Sequence, residues 1–234
     1  MTTTLDRSLR WGLWALPVWA ALLLVGTSTH QPDYRTDFSG YAHYITTTPF
    51  LLSHLVASIL GAAIGILGMI ALTGLLMRGR SVRLALWGLA TFVVGTVLVT
   101  SVFGAAAYAQ PAIGRMYLGG HMDEAVAINA DVYGPAVFAM AAPGILLFTA
   151  GIVLFGVAVA RSGLLPRWSG IGLAIAGVLF GPIGFVIDPV QTVGAALLVV
   201  FAVWLAGAGQ RRQAETERGA GRTQTQGIAN SSAR

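Results

Sequence analysis

The chain contains no cysteine, and only 10% of its 234 residues are charged. The absence of cysteine excludes disulfides, thiolate metal ligands and cysteine nucleophiles. A soluble domain carries about 25% charged residues, so this chain has too little charge to cover a water-facing surface. Lysine is also absent, and all 14 basic residues are arginine, which is typical of a GC-rich bacterial genome.

Several motifs of membrane enzymes and carriers are missing as well. The sequence has no G-x-S-x-G serine with a histidine in a later span, no paired-aspartate motif for prenyl transfer and no phosphate-binding G-x-x-x-x-G-K. The deep parts of its hydrophobic stretches carry no carboxylate or basic group, although coupled carriers usually place one near the midplane. These absences favour a non-enzymatic protein, and no cofactor is expected.

What the chain does have is six long apolar stretches, and 56% of its residues are hydrophobic. About 18 or more consecutive apolar residues are enough to cross the hydrocarbon as a helix. The pattern therefore predicts an all-α fold, an integral membrane bundle of six transmembrane helices within residues 11–207. The expected spans are Trp11–Gly26, Pro49–Met77, Leu84–Tyr108, Pro135–Ala160, Trp168–Ile187 and Pro189–Gly207.

Arginine is distributed unevenly over the segments between these spans. All but two of the 14 arginines lie in segment 1–10, in the second and fourth connections or in the tail, and the exceptions are Arg35 and Arg115. Because positive charge is retained in the cytoplasm, both termini are predicted to be cytoplasmic, with the protein in the bacterial cytoplasmic membrane. The polar tail 208–234 cannot bury a core and is predicted to be disordered.

The opposite side is predicted to carry two long outer loops, at about 27–48 and 109–134. The second contains a segment of helical composition from His121 to Asp131, which we expect to form a short surface helix with Met122, Val126 and Ala130 toward the bundle or lipid. All six tyrosines lie in these loops or at the outer ends of spans. Amphipathic rings at that depth predict an interfacial belt.

Small residues recur at four-residue spacing in two spans, as Ala57, Gly61 and Gly65 in the second and as Gly177 and Gly181 in the fifth. Such stripes let helix backbones approach closely. In a six-helix bundle both faces have partners, so packing within the chain is favoured over homodimerisation. Pro17, Pro143 and Pro182 lie inside spans and are expected to kink them, and Gly144 and Gly181 adjoin the latter two.

The polar candidates for a binding site all lie on the outer side, and they are His54, His121, Asp131 and Asp188. Imidazole and carboxylate groups also ligate Zn²⁺, and His43, His54 and His121 are the candidate metal ligands. His54 lies about one turn inside the membrane, where an ionisable group costs free energy to keep. No H-x-x-x-H or H-E-x-x-H spacing supports a metal site, so an interfacial role for these residues stays open.

The fourth connection, Arg161-Ser-Gly-Leu-Leu-Pro-Arg-Trp-Ser-Gly170, resembles a segment of uncharacterised actinobacterial six-helix membrane proteins, in which a GLLPRW turn begins a helix on the cytoplasmic side. Its physical logic is that Pro166 starts the helix, Arg167 stays at the cytoplasmic surface and Trp168 lies at the interface. The resemblance implies a topology and no activity.

Three functional hypotheses remain open. The first is a non-enzymatic accessory protein that engages a ligand, or another membrane or extracytoplasmic protein, through its outer loops; its partners include the lipid bilayer and no nucleic acid. The second is a small-molecule permease or efflux component, which requires a polar cavity lined by Thr73, Thr91, Thr96 and Thr149. The third is an outer metal or redox site around His54 and His121.

Overall fold

The computed structural model describes residues 8–9, 11–29 and 31–232, with side chains described as far as Arg211. These residues form helices and connecting turns and contain no strand, which confirms the all-α prediction. Most of the predicted N-terminal segment 1–10, and His30, lie outside the described residues. So do the side chains from 212 onward, and the predicted disorder of the tail stays a prediction.

The helices follow one another along the chain with short connections. They are α1 (Ala15–Thr27), α2 (Phe38–Ile45), α3 (Thr48–Leu76), α4 (Val82–Leu118), α5 (Met122–Val132), α6 (Pro135–Ser162), α7 (Arg167–Ile183) and α8 (Asp188–Ser232). In the described part of the chain, four helices are long and apolar enough to cross a membrane: α3, α4, α6 and α8 as far as Arg211. The apolar stretches that contain α1 and α7 are shorter.

Helix α4 runs ten residues beyond its predicted end at Tyr108 and continues through Pro111 to Leu118. The aromatic and polar residues after position 107 mark a change in surroundings, but they do not stop a helix. Much of the predicted outer loop 109–134 is therefore helical. This extension supports α2, because Gly114 lies so close to Ala42 that a Cβ would be 2.8 Å from its carbonyl oxygen. We call the end of the bundle that carries α2 and α5 the outer end.

The predicted surface helix is present as α5, and a hydrogen bond determines which of its faces is buried. Ala125 and Asn129 are buried, whereas Met122 and Val126 are exposed. Asn129 Oδ1 accepts a hydrogen bond of 3.0 Å from the hydroxyl of Tyr41 on α2. Tyr41 is fully buried, so at this position the interpretation of the tyrosines as an interfacial belt is wrong.

The small-residue stripe of α3 faces α1. A Cβ on Gly65 would lie 2.8 Å from the Trp19 ring, and one on Gly61 would lie 3.5 Å from Leu22. Ala57 itself packs against Gly26. Because Gly61 and Gly65 carry no side chain, Trp19 packs between the helices, where it is only 1% exposed. Helix α1 is thus held inside the bundle, between α3 and α8.

Helices α4 and α6 form the most extensive helix pair of the bundle, although the long connection between them does not require close pairing. Glycines on both helices explain the close approach. Gly95 lies against the backbone of Phe148, and a Cβ on Gly151 would be 2.6 Å from the backbone of Phe92. The two helices therefore meet backbone to backbone, which only glycine at these positions permits.

The second stripe lies on α7 and faces α6. Gly177 packs against Ile152, and the hydroxyl of Thr149 fills the space that a Cβ on Gly181 would need. The helix is interrupted at Gly181, whose backbone is not helical (φ −77°, ψ −110°). Pro182 follows directly and lacks the amide that would continue the hydrogen-bond ladder. The kink therefore lies where the sequence predicts it.

Candidate functional site

A cavity of about 210 Å³ lies in the outer half of the bundle, between α1, α3, α4, α6, α7 and the start of α8. Most of its wall is apolar or aromatic. The aromatic residues that line it are Trp19, Tyr44, Phe103, Phe148, Phe180 and Phe185. Their rings contact one another within the bundle, with centroids 6.1 Å apart for Trp19 and Phe148 and 6.0 Å apart for Phe148 and Phe180.

Uncharged polar groups are set into this wall. They belong to Thr27, Thr29, Gln31, Ser53, His54, Ser58, Thr96, Thr100 and Gln191. Among the described residues, no Asp, Glu or Arg lines the cavity. Near the outer end of the cavity, the hydroxyl of Thr192 on α8 donates to the carbonyl of Thr27 at the end of α1, at 3.2 Å. This hydrogen bond between α8 and α1 places Gln191, the neighbour of Thr192, beside the end of α1.

Two π-helical segments border the cavity. The first is Ser53–Leu60 of α3, where the Ser58 hydroxyl donates to the Ser53 carbonyl five residues earlier, at 3.1 Å. The second is Leu179–Ile183 of α7. A π-helical turn holds an extra residue, which widens the backbone and redirects the neighbouring side chains. Such turns recur at functional sites, and here both contribute lining residues to one cavity.

His54 is held in one orientation by its own helix. Its Nδ1 atom lies 3.0 Å from the carbonyl oxygen of Phe50 and 3.1 Å from the hydroxyl of Ser53. Because a carbonyl can only accept, Nδ1 carries the proton, and Nε2 of the neutral ring is left as an acceptor. Nε2 makes no hydrogen bond within the described part of the chain. The ring packs 4.2 Å from Phe50 and 5.9 Å from Phe103, between centroids.

Thr96 presents a buried hydroxyl that has no partner. The residue is 4% exposed, and its Oγ1 makes no hydrogen bond to any described residue. Thr73 and Thr91 donate to the carbonyl one turn earlier, to Met69 at 2.8 Å and to Trp87 at 2.7 Å. The hydroxyl of Thr149, which lies outside the cavity lining and against Gly181, is also buried without a partner among the residues described. A buried hydroxyl without a partner costs about 1–3 kcal/mol. Thr96 therefore marks a position where the cavity lacks a polar contact.

The other predicted site residues do not reach this cavity. Of the four ligand candidates only His54 lines it, whereas His121, Asp131 and Asp188 are exposed elsewhere. His121 instead pairs with Glu124 on the surface of α5, with 3.3 Å between Nδ1 and Oε2. The outer polar residues thus scatter, with His54 alone in the cavity.

A metal centre and a threonine-lined permeation path find no support in the described residues. Within them, no three histidine or acidic side chains are placed to hold a metal ion, and the candidate ligand His43 is exposed. Of the four threonines expected to line a permease cavity, only Thr96 lines this one. The Thr73 and Thr91 hydroxyls are bonded to their own helices.

A second buried polar cluster lies near the outer end, outside the cavity. It contains the Tyr41–Asn129 hydrogen bond and, beside it, the side chains of Gln110 and Tyr133, which contact each other. Burial raises the pKa of both tyrosines, because desolvation disfavours the phenolate. This cluster joins α2, α4 and α5 and has a structural role.

The sequence analysis missed several lining residues, among them Ser53, Tyr44 and Phe103. Part of the site was nonetheless visible in the sequence. Thr96 and Thr100 are four residues apart on one face of α4, and both line the cavity. The π-helical segment Ser53–Leu60 carries no such signal, whereas Gly181-Pro182 marks the irregularity in Leu179–Ile183.

No protein-family model matches the chain, and no curated protein or solved structure matches it significantly. The function must therefore be argued from the cavity and its residues.

Proposed function

We propose that the protein crosses the bacterial cytoplasmic membrane six times, with both termini in the cytoplasm, and binds a small uncharged ligand in its outer cavity. Besides the four long helices, the apolar stretches Trp11–Thr27 and Arg167–Ile183 have 17 residues each. That length is at the lower end of what spans a membrane, about 17–25 residues. With both counted the chain crosses six times, and an even number of crossings puts the two termini on the same side.

Charges and tryptophans support this orientation. Arg80 lies in a connection at the inner end of the bundle, and Arg83, Arg161 and Arg167 lie at the helix ends beside the inner connections, as the positive-inside rule requires of a cytoplasmic side. Five of the six tryptophans lie near the same end, each at least 37% exposed: Trp11, Trp14, Trp87, Trp168 and Trp204. Exposed tryptophans of this kind anchor a protein at the headgroup level.

The unpartnered hydroxyl of Thr96 is the observation that carries the ligand proposal. Burying it is unfavourable unless something in the cavity bonds to it. His54 Nε2 adds an acceptor on the same cavity wall, so a ligand with a hydroxyl group would satisfy both residue types. The lining carries no charge from Asp, Glu or Arg, which favours an uncharged molecule.

The size of the cavity limits the ligand further. An apolar cavity of about 150 Å³ binds benzene. The present volume of about 210 Å³ therefore suits one ring or two fused rings. A small ring alcohol fits the volume, the aromatic wall and the polar groups together. This proposal refines the ligand-engaging hypothesis: the loops contribute Thr29 and Gln31, but the main site lies beneath them.

Calorimetric titration of the purified full chain tests the ligand class. We expect 1-naphthol to bind more tightly than naphthalene, and 1-naphthalenesulfonate not to bind. Thr96→Val should weaken 1-naphthol binding about tenfold, the equivalent of one hydrogen bond, and leave naphthalene unaffected. Thr91→Val is the matched control, since Thr91 is on the same helix and outside the cavity. Equal binding of naphthol and naphthalene to the native chain would refute the ligand class.

The absence of cysteine makes the topology directly testable. A single cysteine at Thr36, in the exposed first outer loop, should react with a membrane-impermeant maleimide in intact cells. A single cysteine at Arg80 should react only after the cells are opened. Labelling of the Arg80→Cys chain in intact cells would overturn the orientation.

A further inference from the structure

The inner end of the bundle brings arginines from the start of α4 and the end of α6 into one depression. Gly79 packs against Ser162 and Leu164, so the connections after α3 and α6 are in contact. Arg80, Arg83 and Arg161 consequently line the same depression. The described residues provide no carboxylate to pair with any of the three. Three guanidinium groups around one concavity repel one another unless an anion lies between them.

The backbone adds to this positive potential. The depression is also lined by Ser81 and Val82 at the start of α4, where the first amides of a helix have no partner within it. Ser81 precedes the helix, and its side chain makes no capping hydrogen bond. The positive end of the helix dipole therefore faces the same place as the guanidinium groups.

An apolar groove adjoins this depression and shares Arg161 with it. The groove runs between α6 and α7, and its lining consists of Gly156, Val157, Ala160, Ile171, Ala174 and Ile175, with Arg161 and Arg167 at its inner end. Ile175 is 53% exposed, so the groove is open on the side that faces away from the bundle. An apolar channel of this kind, with cations at one end, matches an acyl chain attached to an acidic headgroup.

We propose that this face holds an anionic phospholipid of the inner leaflet. Its phosphate would lie among Arg80, Arg83 and Arg161, and one acyl chain would occupy the groove between α6 and α7. The positive-inside rule accounts for an excess of arginine, but not for three arginines in one depression that shares Arg161 with an apolar groove. The site requires the protein to lie in a membrane and is independent of the outer cavity.

Native mass spectrometry of the purified full chain tests the proposal. The probes are dioctanoyl phosphatidylglycerol and dioctanoyl phosphatidylcholine, which have the same chains and differ in headgroup charge. We expect the protein to retain phosphatidylglycerol at least tenfold more tightly. Arg83→Gln with Arg161→Gln should remove this preference, whereas Arg35→Gln with Arg115→Gln, which removes the same two charges at the outer end, should preserve it. Equal retention of the two lipids by the native chain would overturn the proposal.

Two further measurements distinguish binding of the acyl chain in the groove from binding of the headgroup by the arginines. Ile175→Trp should fill the groove and weaken phosphatidylglycerol binding several-fold. Leu146→Trp is its control, at an exposed position of α6 outside the groove. Inorganic phosphate should not displace the lipid at equal concentration. If phosphate displaces it fully, or if Ile175→Trp binds the lipid as the native chain does, the site takes a free anion and the lipid proposal fails.

Discussion

The inner and outer halves of the bundle differ in how their threonines are hydrogen-bonded and in how closely their helices pack. In the inner half, Thr73 and Thr91 bond to their own helices, and Gly151 brings α4 and α6 into backbone contact. In the outer half, Thr96 has no described partner and two π-helical segments stand around a cavity. At these positions the inner half is closely packed and its hydroxyls are bonded, whereas the outer half contains a cavity and an unpaired hydroxyl.

Helix α3 contains this contrast within a single element. Its part Gly61–Leu76 is a regular α-helix that presents Gly65 and Gly68 to α1. Its part Ser53–Leu60 is π-helical and borders the cavity with Ser53, His54, Ala57 and Ser58. Small residues occur in both parts, so they do not make the cavity by themselves. The π-helical part is the one that places His54 in the cavity wall.

The largest effect should come from breaking the inner half. Gly151→Ala would place a Cβ 2.6 Å from the backbone of Phe92, which cannot move without shifting α4. We expect a loss of about 2 kcal/mol in the free energy of unfolding, typical of overpacking. Detergent-mixed-micelle unfolding measures it. The control is Gly104→Ala, because a Cβ at Gly104 meets nothing within 4 Å. Equal losses in both variants would show that the close approach does not stabilise the bundle.

The next largest effect is expected at the outer end, where α2 packs against α5. Tyr41→Phe removes the donor to Asn129 and leaves a buried amide oxygen unpaired, at a cost of about 1.5 kcal/mol. Phe38→Leu, in the same helix, is a control that keeps this hydrogen bond. If Tyr41→Phe unfolds at the same denaturant concentration as the native chain, the bond contributes nothing.

Alkaline pH offers a second readout on Tyr41. Burial raises its pKa in the folded state above the usual value near 10, so the unfolded chain ionises first. The stabilisation is present below about pH 10 and is lost as the pH rises above that value. Tyr41→Phe should therefore lose less stability than the native chain between pH 9 and 11.

The sequence was sufficient for the helical class and for the kink at Pro182, because hydrophobic length and a missing amide act locally. It was insufficient for the end of α4, since Tyr108 marks a change of environment and the helix continues to Leu118. The sequence was also insufficient to predict which face of α5 is buried. That depends on the hydrogen bond between Asn129 and Tyr41, which are 88 residues apart in the chain.

The candidate site was only half predictable for the same reason. His54 stands out in the sequence because a titratable group in an apolar span is costly. His121, Asp131 and Asp188 have the same chemistry, but the fold leaves them exposed on separate elements. Which polar residues converge is decided by helix packing and by the π-helical segments, and neither has a signature in a single sequence.

A smaller effect of opposite sign should come from the outer half. Thr96→Val replaces an unpaired hydroxyl by a methyl group of the same shape, so the empty protein should gain about 1 kcal/mol in the free energy of unfolding. Thr91→Val, whose hydroxyl is bonded to Trp87, should gain nothing. Such a gain accompanied by weaker naphthol binding would indicate that Thr96 is kept for a ligand. A loss of stability in Thr96→Val would mean that its hydroxyl is already satisfied.

The smallest effect is expected on the surface of α5, where His121 and Glu124 form an ion pair of 3.3 Å. Their side chains are 67% and 70% exposed, so water screens the attraction and little is gained by holding two mobile groups together. Glu124→Gln should change the free energy of unfolding by less than about 0.5 kcal/mol. Comparing Glu124→Gln with Tyr41→Phe contrasts an exposed contact with a buried one at the same outer end. A loss as large as that of Tyr41→Phe would mean that α5 is held by surface charge, and that the Tyr41–Asn129 bond is not what fixes its orientation.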